Sequence, residues 1–172
     1  MNEVIKAMVE RRSTRKYKPD MVPDELINQV VEAGLYAPSG MGKQDPIILV
    51  IKDRETRDKI AAMNAAIAKR AGDTFYGAPV ILAVLVPSDW FTGVEDGSLA
   101  IGNMLLAAHS LGLGCCWIHR AMQEFESEEG KALLRKIGVE GDYRGVGHVA
   151  LGFPDAEPGK PASRRAGRVF TI

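Results

Sequence analysis

Three stretches of the chain hold residues whose types and spacing could do chemistry. Residues 11–18 (RRSTRKYK) carry five cations and no acid. Within them, Arg11, Arg12, Ser13 and Arg15 set guanidinium forks and a hydroxyl close enough to grip a phosphate by charge-assisted hydrogen bonds. The same arginines also suit a helix C-terminus, where cations offset the dipole. Residues 160–168 (KPASRRAGR) repeat the choice with Lys160, Arg164, Arg165 and Arg168: a second half of one phosphate cradle, or a flexible basic tail. Pro38-Ser39-Gly40-Met41-Gly42-Lys43-Gln44 is either a ligand loop offering backbone amides and polar side chains to a heterocycle, or an interhelical turn.

Other chemistries fit poorly. Gly145-Val146-Gly147-His148-Val149-Ala150 matches a dinucleotide fingerprint by letter, but it leads into a predicted strand and opens no helix. No Gly-Lys pair is followed by Ser or Thr, so the chain has no Walker loop. Cys116 and His119 have the spacing of half a zinc site and no second pair to complete it. Cys115 and Cys116 alternate on a buried-looking strand, which reads as two inert core thiols and not as a nucleophile.

The elements that must position these residues centre on Asp96–Ile118. Asp96 and Gly97 are plausible caps for a helix apolar on nearly every face, through Leu99, Ile101, Met104, Leu105, Ala108 and Leu111. Such a helix should be buried on most sides. Gly112 and Gly114 end it, and Cys115–Ile118 follows as a strand that delivers His119 and Arg120. Before it, Val4, Ile5, Met8 and Val9 share one face of a helix over 2–10. Pro23 opens a second helix, with Leu26, Ile27, Val30 and Val31 inward. Residues 47–51 and 80–86 read as buried strands, separated by a helix that Asp53 caps and that carries Ile60, Met63 and Ile67. Residues 88–94 form a loop, Ser127 caps a helix ended by Gly138, and Gly147–Leu151 is a fourth strand. Alternating helices and apolar strands predict an α/β layered fold with a sheet covered on both faces.

Composition narrows the class. The 172 residues fit one domain, residues 1–172, with 46% hydrophobic and 26% charged residues. Lys plus Arg equals Asp plus Glu at 22 each, so nothing draws the whole protein to nucleic acid or to a membrane. Two adjacent cysteines, no secretory signal core and no membrane-length apolar run suggest a cytoplasmic protein.

Taken in order, R-R-S-T-R at 11–15, A-P-S-G-M-G-K-Q at 37–44, G-A-P at 77–79, L-G-L-G-C-C-W-I at 111–118 and A-L-G-F-P at 150–154 resemble the FMN-dependent nitroreductase family over nearly the whole chain. The resemblance implies an α+β fold with a mixed sheet flanked by helices. It also implies a homodimer holding one FMN in each of two interfacial sites. The activity would be ping-pong transfer of electrons from NADPH or NADH to nitroaromatics, quinones or similar small-molecule acceptors. By that likeness Arg11, Arg12, Ser13 and Arg15 contact the phosphate and ribityl chain, joined by Arg164 or Arg165. Pro38, Ser39, Gly40 and Met41 approach the flavin from the partner subunit, with Gln44 nearby. Trp117, Ile118, His119 and Arg120 line the ring, a backbone amide there meeting flavin N5. Asp45 and His119 depart from the residues the family commonly has at those places. No side-chain nucleophile or general acid is called for. The alternatives are a flavin sensor or carrier without turnover, a reductive dehalogenase on the same fold, and a bare anion-binding module.

Overall fold

Strand β1 (Ile47–Ile51) ends opposite the start of β2 (Val80–Pro87), with Ile51 beside Ile81, so the chain re-enters the sheet at the end where it left. That reversal recurs throughout. In the computed structural model, which describes residues 1–172, the sheet has the order β1-β2-β4-β3 and every strand pair is antiparallel. Here β3 is Gly114–Ile118 and β4 is Tyr143–Gly152. The parallel part of the expected mixed sheet is a single bridge, Ser13 to Cys115. Around the sheet lie α1 (Glu3–Glu10), α2 (Asp24–Leu35), α3 (Arg54–Ala68), α4 (Gly93–Ser110), α5 (Ala121–Glu126) and α6 (Glu128–Lys136).

The period-2 alternation of strand side chains divides the core in two. Ile81, Ala83 and Leu85 face one way and pack with Ile60, Phe75, Phe125 and Leu134 beneath α3, α5 and α6. Val80, Leu82 and Val84 face the other way, against Ile27 and Val30 of α2 and Ile101 and Met104 of α4. Both faces are therefore covered, as the unbroken apolar runs of β1 and β2 require. Beneath α5, buried Glu124 meets buried His148 of β4 at 2.7 Å, with the Phe75 ring edge-on to the imidazole.

Four elements differ from expectation. The central helix starts at Gly93, three residues before the expected caps, because the Asp96 carboxylate is turned to other donors and leaves the helix N-terminus uncapped by it. It is also buried along a stripe only. Gly97, Ala100, Ile101, Met104 and Ala108 pack inward, while Leu99 is 47% exposed. Helix α1 has the expected apolar face, but that face is open to solvent, with Val4 57% and Met8 58% exposed. Helix α5 has no counterpart in the sequence reading, being six residues long and too short for a clear period. Strand β4 extends the expected Gly147–Leu151 strand to ten residues, with Val146 bulged between Gly145 and Gly147, and its glycines hide the first half from an apolar-run search.

Asp53 caps α3 as expected, its carboxylate accepting from the Thr56 backbone amide and hydroxyl at 2.9 and 2.8 Å. Those bonds hold its pKa below the ordinary aspartate value of 3.8. A carboxyl depressed in the folded state stabilises above its unfolded value and loses that contribution as pH falls through the folded one. Asp53→Ala is expected to lower the melting temperature at pH 7, with the gap to wild type narrowing below pH 3.8. Paired thermal melts across acid pH measure it.

Candidate functional site

The basic segment leaves α1 and runs along the free edge of β3. The Thr14 amide donates to the Cys115 carbonyl at 2.9 Å, and a side chain at Gly114 would meet Thr14 at 2.8 Å. Tyr17 then locks the segment down, its hydroxyl donating toward the carbonyls of Thr14 and Ala150 at 2.9 and 3.3 Å. An edge strand is thereby covered, and a run of cations is fixed against it.

Of these cations, Arg12 does what a helix C-terminus predicts. Its Nη1 donates to the carbonyls of Val9 and Arg11, both at 2.7 Å. Yet Arg12 Nε and Arg11 Nη1 are buried and have no hydrogen-bond partner. Buried guanidinium nitrogens without an acceptor are costly, by about 1–3 kcal/mol or more each. An anion bound here would remove that cost. The neighbouring thiols are poor acceptors for them: burial pushes Cys115 up to about 11 although the Arg11 guanidinium reaches it and lowers it, and burial raises Cys116 against the lowering effect of Arg15.

Trp117 and Ile118 close β3, about 7 and 10 Å from Cys115 by strand rise, and His119 and Arg120 form the turn that follows. Trp117 is 50% exposed, and its ring centroid is 5.5 Å from that of exposed His119. A side chain at Gly147 would meet Trp117 Nε1 at 2.6 Å, so glycine is what lets the indole approach β4. Ile118 is buried in the core and offers only its backbone. Arg120 adopts φ +83°, a left-handed conformation costing a non-glycine residue about 1–2 kcal/mol. Strand β3 therefore joins a cationic grip to a half-exposed aromatic corner.

The Pro38–Gln44 loop sits elsewhere, on the first turn of α4. Met41, Gly42 and Gln44 all have positive φ, at +55°, +67° and +57°. Backbone so placed persists only when its surroundings over-determine it. Three contacts do so here. Ser39 Oγ accepts from the Gln44 amide at 2.9 Å, Lys43 Nζ lies 4.0 Å from the Trp90 ring centroid, and buried Asp96 Oδ1 accepts from the Gly40 amide at 2.9 Å. The other Asp96 oxygen accepts from Trp90 Nε1 and Thr92 Oγ1 at 3.0 and 3.1 Å. No hydrogen bond links this loop to the basic segment or to the Trp117 corner of the same chain. Arg164 and Arg165 are exposed in the tail and make no ion pair or hydrogen bond to the body, so one chain alone does not bring them to Arg11.

Two residues that hold these parts were not singled out as site residues from sequence. Asp96 reads as a cap, and Asn64 passes unnoticed on α3, although a polar residue four after core Ile60 was a visible signal. Asn64 is fully buried and bonds the turn that follows β3.

This arrangement has close structural counterparts. A crystal structure of a nitroreductase with bound FMN from Bacteroides fragilis superposes with a TM-score of 0.91 at 28% identity, covering all of both chains. One from Desulfitobacterium hafniense, also with bound FMN, gives 0.88 at 28% identity over 100% of this chain and 99% of that one. A Methanothermobacter thermautotrophicus protein, provisionally named NADH dehydrogenase/NAD(P)H nitroreductase, is 32% identical over 164 residues, 91% of this chain and 80% of its own length. Residues 8–153 match the nitroreductase family, and the chain belongs to it.

Asp96 carries the only tie between the strained loop and α4 through a charged group. Asp96→Ala is expected to cost about 1.5–3 kcal/mol, the range for a hydrogen-bonded charge. Denaturant titration gives the cost, and proteolysis at 40–44 shows whether the loop is the part released.

Proposed function

We infer that residues 1–172 form one FMN-binding domain that moves electrons from NADPH or NADH to nitroaromatic, quinone or similar acceptors. The carrying observation is the pair of buried, unpartnered guanidinium nitrogens on Arg11 and Arg12, in a segment bridged to Cys115 two strand positions before the half-exposed Trp117. A phosphate satisfies the first feature and a planar ring suits the second. The FMN bound in the related crystal structures carries both groups.

In this reading Arg11, Arg12 and Arg15 hold the phosphate, and the Ser13 hydroxyl adds a neutral donor. Trp117, His119, Arg120 and the backbone at Ile118 orient the ring. Bound FMN supplies hydride and electron transfer between donor and acceptor. The protein's own contribution is to fix that ring, leave one face open for donor and acceptor in turn, and set cations where negative charge accumulates.

A second copy completes the site. Val4, Ile5, Met8 and Val9 of α1, Leu99 of α4, and Val169, Phe170 and Ile172 of the tail are all exposed large hydrophobics. Apolar surface on this scale marks an interface, and a two-fold pairing would cover the same face on both copies. It would also carry the Pro38–Gln44 loop, and the tail with Arg164 and Arg165, toward a neighbour's flavin. No helix is long and apolar enough to cross a membrane. Both cysteines are free thiols, which supports a cytoplasmic setting.

Purified protein is expected to be yellow, or to become so with added FMN, and to bleach with NADPH or NADH without oxygen. A colourless protein sinks the flavin reading, and a yellow one that never bleaches is a carrier. Arg11→Ala is expected to weaken FMN binding about 10–100-fold, matching the loss of a charged hydrogen bond. Flavin fluorescence titration measures it. Ile5→Lys with Met8→Lys is expected to give a monomer that retains FMN poorly, read by sedimentation together with absorbance.

A further inference from the structure

Asn64 is the one fully buried amide side chain in the protein, and both ends of it are spent on a single turn. Its Nδ2 donates to the His119 carbonyl at 2.8 Å, and its Oδ1 accepts from Arg120 Nε at 3.2 Å. The two residues it holds are 55 and 56 positions away, on a different element. One of them, Arg120, is in the left-handed region at φ +83° and opens α5 with no side-chain cap. Local sequence therefore does not favour this turn. A backbone carbonyl and a strained arginine are held in place from α3.

We propose that Asn64 is a positioning residue for the reduction reaction. It fixes the His119–Arg120 turn so that the backbone beside the flavin, and the Arg120 guanidinium with it, keep one orientation. The assignment rests on the flavin reading above. Asn64 itself touches no ligand; it acts through the turn. Because Nε of Arg120 is committed to Asn64, the guanidinium plane is set, while its Nη groups form no ion pair with any acid of the chain. A cation held at a fixed place favours the reduced, negatively charged flavin over the oxidised one. A merely structural asparagine would stabilise the fold without biasing that balance.

The test compares wild type, Asn64→Leu, Arg120→Gly and the double variant. Glycine accepts φ +83° without strain, so Arg120→Gly is expected to fold even where Asn64→Leu is weakened. Hydrogen exchange on the FMN-free proteins is expected to quicken at least tenfold at the amides of 119–121 in Asn64→Leu, with β2 unchanged. On FMN-loaded protein, Asn64→Leu is expected to shift the ratio of affinities for oxidised and reduced flavin about tenfold, roughly 30 mV for a two-electron couple. The two substitutions should combine to less than the sum of their separate shifts, since each breaks the same link. Exchange that quickens evenly across the chain, an unmoved potential, or additive shifts would each overturn the assignment. If wild type takes up no FMN, the flavin reading fails and this one with it. If FMN binds normally and only the variants are silent, this one fails alone.

Discussion

The docking of residues 13–17 on the open edge of β3 is the constraint on which the rest depends. Strand β3 lies at the rim of the sheet, and an uncovered rim would present unpaired amides and carbonyls. Thr14 and Tyr17 occupy it, and Gly114 leaves room for them. The same contact sets three arginines beside a strand whose far end carries Trp117, His119 and Arg120. A structural need and, in the proposed reading, a binding need are thus met by one interaction.

Burial and strain gather around that strand. The unpartnered nitrogens of Arg11 and Arg12 and the left-handed Arg120 run against local preference there, as the positive-φ residues of the 40–44 loop do on the first turn of α4. Elsewhere most of the chain follows it, with Asp53, Asn2 and Ser127 capping helices and β2 buried from Val80 to Val86, although Lys69 and Tyr76 also hold positive φ. Local rules broken together at one place are characteristic of a site, because only function or a long-range contact keeps such conformations in place. Asp96 and Asn64 are those long-range contacts. Each is a buried polar residue on a helix, and each satisfies backbone groups of a segment distant in sequence.

The single chain leaves a large apolar face open, on α1, on one side of α4 and at the end of the tail. The sequence pattern of α4, apolar nearly all round, led to an expectation of burial on most sides. One chain covers only the stripe through Ala100, Met104 and Ala108. The remainder suits a partner surface. It also explains why the loop at 38–44 and the basic segment share no contact within one chain, although both bear on a flavin in the proposed assembly.

Much of this was legible in the sequence itself. Periodicity located α1 to α4, α6 and all four strands, β4 in its second half, because unbroken apolar runs and capping residues are local signals. The ordered motifs at 11–15, 37–44 and 111–118 pointed to the family, since each marks a place where backbone or charge has little freedom to vary. Tertiary structure alone decided the rest. It set the antiparallel order of the sheet, which depends on where each return loop re-enters. It began β4 at Tyr143, ahead of the expected Gly147, through Gly145 and Gly147, whose role is to admit the start of α5 and Trp117 and which therefore carry no apolar signature. It turned Asp96 from a helix cap into the anchor of a loop 56 residues away, and gave Asn64 a turn to hold. A hydrogen bond between distant segments leaves no spacing to read, so the partners of a buried polar residue are known only once the chain has folded.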